Sequence, residues 1–379
     1  MADYKFIKNC DIYTPLKTFK KGGILIEGEK IAKVGSFKES EIPDETQIYN
    51  FQNHLAVPGF IDIHVHGGAG IDFTDSSPES MTEALRTHLQ NGTTSLLPTI
   101  ETASHKQILQ TIRNFTPSKR EIRELPHILG LNLEGPYISK EKRGAQLKKF
   151  IRKPSVAEMK EYIEASKKNI KVVTLAPEIE GALDFIHFLR DQEIIPSAGH
   201  TNARYLETEK AVKSGIRHAT HLFNAMRGFF HRAPGATGCL LLKDEVSAEI
   251  IADGFHLHPL TLHLIERVKP LGKIILVTDA TKFYGIKKEP SYDEEGRLFG
   301  SSTPLNEAVK NMIQFTGLSF EETLRTVTSN PAKILKMEHK KGHLKKDRDA
   351  DIVILDKELR VRKVFLKGKI VPTGKNINF

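Results

Sequence analysis

The stretch Pro58-Gly59-Phe60-Ile61-Asp62-Ile63-His64-Val65-His66 decides how this chain is read. Residues 57–65 form a short apolar run opened by Pro and Gly, as a buried strand would be. Side chains two apart on a strand point the same way, so His64 and His66 offer two imidazoles to one point. A His-x-His pair is by itself a weak sign of a metal site, and its weight depends on what the other strands bring to the same place.

Outward from this segment, apolar runs alternate with amphipathic stretches, the pattern of parallel βα units. Strands are expected at 57–65, 95–100, 128–133, 172–176, 194–198, 219–223, 248–252 and 274–278, enough for a (β/α)8 TIM-like barrel. Between them, residues 78–91 carry Met81, Ala84, Leu85 and Leu89 on one helical face, with Ser77 as N-cap and Gly92 as terminator. Residues 154–168 and 182–192 read similarly. The chain ends differ: 4–52 and 350–371 read as short strands, with turn signals at Lys21-Gly22-Gly23 and Glu27-Gly28-Glu29. Both ends are expected to pair into one small β-sandwich domain. The resulting division is 1–56 and 339–379 for that domain and 57–338 for the barrel, without internal repeats or low-complexity segments.

Composition narrows the function classes. A chain of 379 residues accommodates a barrel of ~250 with a partner domain. No apolar run approaches the ~20 residues of a membrane helix, and Met1-Ala2-Asp3-Tyr4-Lys5 lacks a signal-peptide layout, so a cytoplasmic protein is expected. Cys10 and Cys239 are too isolated for a disulfide framework or a thiolate metal site. The 56 basic against 47 acidic side chains give a net charge of +9, which suits a small anionic substrate. Pairs such as Lys20-Lys21, Lys148-Lys149, Lys287-Lys288 and Lys340-Lys341 are scattered without interleaved aromatics and are taken as solvated surface, not a nucleic-acid footprint.

The polar residues fall where a barrel places its chemistry, at the C-terminal ends of strands. His64 and His66 end the first strand, Glu134 the third, His200 the fifth, His221 and Asn224 the sixth, and Asp279 the eighth, with Asp253 and His256 following the seventh. That convergence turns the His-x-His pair into part of a candidate metal site. Nitrogen and oxygen ligands suit Zn2+ or Fe2+ better than Ca2+. Of the other histidines, His54, His88, His105, His127, His187, His218, His263, His339 and His343 are expected to pack or face solvent, while His231 and His258 flank loops of interest. Arg232 lies close in sequence to the sixth strand end and is a candidate anion contact.

These residues carry a resemblance that covers nearly the whole chain. Pro58 to Gly67 and Ala350-Asp351-Ile352-Val353-Ile354-Leu355-Asp356 are moderately specific. More specific are Leu133-Glu134-Gly135-Pro136-Tyr137-Ile138-Ser139, Ala198-Gly199-His200-Thr201-Asn202-Ala203, Thr220-His221-Leu222-Phe223-Asn224-Ala225-Met226, Ala252-Asp253-Gly254-Phe255-His256 and Thr278-Asp279-Ala280. Together they resemble the N-acetylglucosamine-6-phosphate deacetylases of the amidohydrolase superfamily. The resemblance implies Glu134, His200 and His221 on a principal metal, with His64 and His66 matching members that bind a second. It implies Asp279 as catalytic acid/base, and substrate contacts from Ala145, Gln146, Asn224, Ala225, Arg232, His256, Phe299, Gly300 and Ser301. Arg232 would meet the phosphate, reaching in from the second subunit of a homodimer. Two departures stand out: Gly144-Ala145-Gln146 replaces the common Gly-Ala-His, and the segment 281–299 diverges.

The activity implied is metal-dependent deacetylation of N-acetylglucosamine 6-phosphate, with Asp279 as base and then acid, and His256 or Gln146 donating to the oxyanion. The alternatives are an N-acetylgalactosamine-6-phosphate deacetylase, an aminoacylase, a dihydroorotase-like enzyme or an adenine deaminase, and, from another class, a barrel scaffold without activity. Several of those relatives bridge two metals with a carboxylated lysine, whereas Glu134 occupies that place here. No membrane or nucleic-acid partner is expected.

Overall fold

A computed structural model of the chain describes residues 3–15, 17–116, 124–287 and 290–372. Lys288 and the outermost residues of the expected end domain lie outside the described residues. Eight parallel strands build a nearly closed barrel: β1 (Phe60–Val65), β2 (Thr93–Ile100), β3 (Leu131–Glu134), β4 (Ile170–Leu175), β5 (Ile195–Ala198), β6 (His218–Ala219), β7 (Ser247–Ile250) and β8 (Ile274–Leu276). Each pairs with the next in sequence. Beyond β8 the chain bridges back to β1 through Val65 and Ala280, with Asp279 N donating to His64 O at 3.0 Å.

After each strand comes a helix: α1 (Pro78–Gln90), α2 (His105–Phe115), α3 (Val156–Ala165), α4 (Ala182–Asp191), α5 (Tyr205–Ser214), α6 (Gly235–Leu242), α7 (Pro259–Val268) and α8 (Leu305–Thr316). Helix α1 forms as its pattern dictates. The Ser77 hydroxyl accepts from Ser80 N, Pro78 occupies the first turn where its missing N–H is harmless, and Met81, Ala84, Leu85 and Leu89 are buried. Two further helices, Phe320–Val327 and Ser329–Ile334, cover β1 and β8 from outside, where Ile61 and Ile63 pack with Val277 and Ala332.

Three expected strands are broken differently from their sequence boundaries. Residues 57–65 are not one strand: Leu55–Pro58 pairs antiparallel with Ile352–Leu355 in the other sheet, and the barrel strand starts at Phe60. The break is at Gly59, where a Cβ would lie 2.0 Å from Thr94 Oγ1. The third run divides into His127–Ile128 and Leu131–Glu134. The sixth ends at Ala219, because His221 and Phe223 turn to φ 27° and 79°.

The chain ends meet in a separate sheet of eight strands, in which Tyr4–Tyr13, Thr18–Glu27, Lys30–Gly35, Gln47–Asn50 and Leu55–Pro58 join Ile352–Leu355, Val361–Leu366 and Lys369–Ile370. Its core holds Ile7, Ile12, Ile24, Ile26, Ile352, Ile354 and Phe365. Glu27-Gly28-Glu29 is the turn expected, with Gly28 at φ 58°. Lys21-Gly22-Gly23 is not a turn: it lies inside Thr18–Glu27, opposite the register shifts around Cys10, and its glycines accommodate that bulge. Lys341 is not solvated surface either, since it is buried between Asp349 (2.8 Å) and Asp351 (2.5 Å). Among the described residues no helix is long and apolar enough to cross a membrane. Cys10 and Cys239 are free and buried.

Candidate active site

Directly beneath the barrel mouth the interior is polar. Thr220 Oγ1 meets Thr174 Oγ1 (2.8 Å) and Ser197 Oγ (2.6 Å), and Thr278 Oγ1 donates to Asp62 Oδ2 (2.6 Å). Above this layer the strand ends bring together two triads of ligand-type atoms, Glu134–His200–His221 and His64–His66–Asp279. Glu134 Oε1 lies 3.0 Å from His200 Nε2 and 2.9 Å from His221 Nε2, while its Oε2 is 3.3 Å from His66 Nε2. Asp279 Oδ1 is 3.2 Å from His66 Nε2 and 3.4 Å from His64 Nε2. One carboxylate, Glu134, therefore faces both triads.

The backbone is bent to achieve this. His200, His221 and Asp279 stand at φ 45°, 27° and 48°, a left-handed region that costs a non-glycine residue of order 1–3 kcal/mol. Neighbours hold them there: Ser139 N donates to His200 O, Glu249 Oε2 accepts from His221 N, and Ser301 N donates to Asp279 O. At Gly300 a Cβ would lie 2.5 Å from Asp279 O, so only glycine permits that close approach.

The donor set fits a divalent cation. The Nε2 atoms of His64 and His66 are 3.0 Å apart, and those of His200 and His221 are 3.1 Å apart. Two imidazole nitrogens so placed satisfy each other poorly, but their lone pairs converge as ligands do. The far side of each ring is fixed in two cases: His64 Nδ1 on Glu249 (2.8 Å) and His200 Nδ1 on Lys142 O (3.0 Å). Burial by itself would raise the Glu134 and Asp279 carboxyls, yet the imidazoles beside them hold both below the usual range. For His64 and His66 burial works to lower the value, and the surrounding carboxylates more than reverse it.

A pocket of ≈ 350 Å³ opens onto the triads. Ala145, Gln146, Asn224, Ala225, His256, Phe299 and Gly300 line it, as do His66, Glu134, His200, His221 and Asp279. His64 lies deeper and is fully buried. Gln146 is occupied on both ends of its amide, accepting from Thr102 N at 2.7 Å and donating to Glu134 Oε2. One Nε2 proton remains for a ligand. His256 is set by Asp253, whose Oδ2 lies 2.7 Å from its Nδ1. Arg232 sits in an exposed turn between Phe230 and Ala233, outside the lining of this pocket, and Ser301 is likewise outside it. His231 is exposed and His258 caps α7 by accepting from Leu260 N, so neither joins the site.

Sequence reasoning missed Glu101, Thr281, Arg297 and Leu298 in the lining. Glu101 was within reach of the strand-end rule, since it directly follows β2. Burial and the carboxylates around it push its carboxyl up to about 8, against the pull of His66. Arg297 lies in the divergent segment, and its guanidinium is engaged by Asp293 (2.6 Å) and Glu295 (2.5 Å); Glu295 also pairs with Arg143 at 2.5 Å. Glu249, buried in the middle of β7, was missed as well.

Comparison with known proteins agrees with this geometry. The model of the amidohydrolase family matches residues 55–371. The chain is 34% identical to N-acetylglucosamine-6-phosphate deacetylase of Bacillus subtilis, with 98% of each chain covered. It is 31% identical to the crystal structure of the Pasteurella multocida enzyme of the same name, with a TM-score of 0.88 over 97% of this chain and 99% of that one. The Mycobacterium smegmatis enzyme, 26% identical with a TM-score of 0.88 over 98% and 99% of the two chains, has been solved as a variant in complex with N-acetyl-D-glucosamine-6-phosphate.

Proposed function

The chain belongs to the amidohydrolase family, on the branch of the N-acetylglucosamine-6-phosphate deacetylases, and from that premise we propose that it hydrolyses the acetamide of N-acetyl-D-glucosamine 6-phosphate to D-glucosamine 6-phosphate and acetate, a step of amino-sugar catabolism and cell-wall sugar recycling. The observation that carries the chemistry is the pair of triads meeting at Glu134 under one pocket. Glu134, His200 and His221 would hold one divalent cation, and His64 and His66 with Asp279 a second, Zn2+ or Fe2+ by the nature of the donors. Such a cation lowers the pKa of a water from about 15.7 toward roughly 7 and polarises a carbonyl.

The chain's own groups do the rest. Asp279, held as a carboxylate beside His64 and His66, accepts the water proton and returns it to the departing sugar nitrogen. The free Nε2 proton of Gln146 donates toward the acetyl oxygen, while Asn224, Ala225, Phe299 and Gly300 enclose the sugar. His256, with Nδ1 engaged by Asp253, turns its other nitrogen to the phosphate end. Arg297 is the one Lys or Arg among the described lining residues, and two carboxylates already neutralise it. That supports Arg232 of a second copy as the phosphate ligand in a homodimer, with exposed Phe229 and Phe230 flanking it. The expected division at 56/57 moves to Gly59, because Val57 and Pro58 pair with Val353 and Ile352 in the end sheet, and the division at 338/339 belongs to the same proposal.

The absence of lysine from the described lining argues against a carboxylated-lysine hydrolase, and the intact ligand set argues against an inactive scaffold. Acetate release from N-acetylglucosamine and N-acetylgalactosamine, each with and without 6-phosphate, after loading with Zn2+ or Fe2+, tests the proposal. Preference for N-acetylglucosamine 6-phosphate is expected; no release from any of the four overturns it.

A further inference from the structure

Glu249 is fully buried in the middle of β7, carries no surface role, and touches neither pocket nor solvent. Its Oε1 lies 2.9 Å from His218 Nε2, and His218 Nδ1 is anchored in turn on Ser247 Oγ at 2.9 Å. Its Oε2 accepts twice: from His64 Nδ1 at 2.8 Å and from the backbone N–H of His221 at 3.2 Å. His64 belongs to one triad and His221 to the other. A single carboxylate oxygen therefore connects one member of each.

We propose that Glu249 is a positioning residue for both cation sites, acting on the His64–His66–Asp279 site through the His64 ring and on the Glu134–His200–His221 site through the His221 backbone. By accepting the His64 Nδ1 proton it leaves the Nε2 lone pair directed at the cation and fixes the ring plane. At His221 it holds the left-handed backbone that carries the imidazole inward, a weaker influence because Leu222 N also ties this turn, to Glu249 O at 2.9 Å. Loss of the carboxylate therefore falls mainly on the His64 site. In Glu249→Gln the amide oxygen can still accept from His64 Nδ1 and the NH2 can face His218 in its other tautomer, but the negative charge that makes the His64 ring a stronger donor to the cation is lost.

The inference rests on the reading of the triads as cation sites, and Co2+ binding by the metal-stripped full chain, followed by visible absorption and equilibrium titration, separates the two. Wild type is expected to take up two equivalents, and Glu249→Gln to keep the first with a second weakened roughly 10–100-fold, the usual cost of removing such a partner. His64→Asn should remove the second equivalent by itself, and adding Glu249→Gln to it should weaken the remaining one only slightly. His218→Gln, a milder change one residue further out, should weaken the second equivalent less than Glu249→Gln does, and serves if the latter fails to fold. Two unchanged equivalents in Glu249→Gln, or equal loss of both in either variant, overturn the inference alone. A wild-type chain that binds no Co2+ overturns it together with the cation reading.

Discussion

Asp279 shows how one residue acquires its chemistry from position. It ends the eighth strand, takes a left-handed backbone held by Ser301 N, and points its carboxylate at the imidazoles of His64 and His66. Protonated His64 and His66 hold its carboxyl below the usual range despite burial, and a bound cation would do the same, which leaves it in the ionised state a general base needs at neutral pH. Asp279→Asn should lower kcat by about 10²–10⁴-fold, the usual contribution of a positioned acid/base. If Glu134, His200 and His221 hold a cation as proposed, it should remain, as elemental analysis of the purified variant would show. Undiminished turnover would remove Asp279 from the mechanism.

At the scale of elements, the molecule depends on how two sheets are joined. Gly59 is the crossing point, with Thr94 filling the space a Cβ would need and the glycine N–H donated to Asp351 O at 2.9 Å. Gly59→Ala puts a methyl where Thr94 stands and should destabilise the fold by about 1–3 kcal/mol, the cost of overpacking, read from the urea midpoint. The same junction holds Lys341 between Asp349 and Asp351, whose carboxyls lie below their usual range because the Lys341 ammonium offsets burial. A depressed carboxyl stabilises the fold above its unfolded pKa of about 3.9 and loses that contribution as pH falls through the folded value. Lys341→Met removes the cation and leaves Asp351 with His127 and the Lys367 N–H. Its carboxyl then rises above the unfolded value, reversing the sign. The variant should lose about 3–5 kcal/mol near neutral pH, with a deficit that shrinks toward pH 4. A deficit that is the same at both pH values would contradict this account.

For the whole molecule, the question is whether one chain makes a complete site. Its pocket offers the phosphate a histidine and an arginine already paired with two acids, while Arg232 stands in an exposed turn beside Phe229 and Phe230. If Arg232 serves a neighbouring copy, Arg232→Ala and Asp279→Asn chains are each impaired alone but complementary when mixed. After dissociation and random reassociation of equal amounts, roughly a quarter of the sites in a symmetric dimer should be native. Activity that stays at the sum of the separate variants would place the phosphate contact within one chain.

The barrel, the convergence of histidines and carboxylates at its strand ends and the second sheet from the chain ends could be read from residue order, because strand period, helix period and the C-terminal location of barrel chemistry are local or fold-wide rules. Where β1 begins, why Lys21-Gly22-Gly23 is a bulge, and that Lys341 is buried depended on which strands and carboxylates pack against them (Thr94 and Ile352–Leu355, Cys10, and Asp349 with Asp351), which no periodicity encodes. The same holds for Gln146, whose amide is taken by Thr102 and Glu134, and for Glu249, an acidic residue inside an apolar run whose partners His64 and His218 are brought to it by barrel closure. Residue types and spacing determined which groups could bind and react. Tertiary packing decided which atoms face one another, because hydrogen bonds and ligand directions tolerate errors of only about a few tenths of an ångström, and that precision is set only when all strands close together.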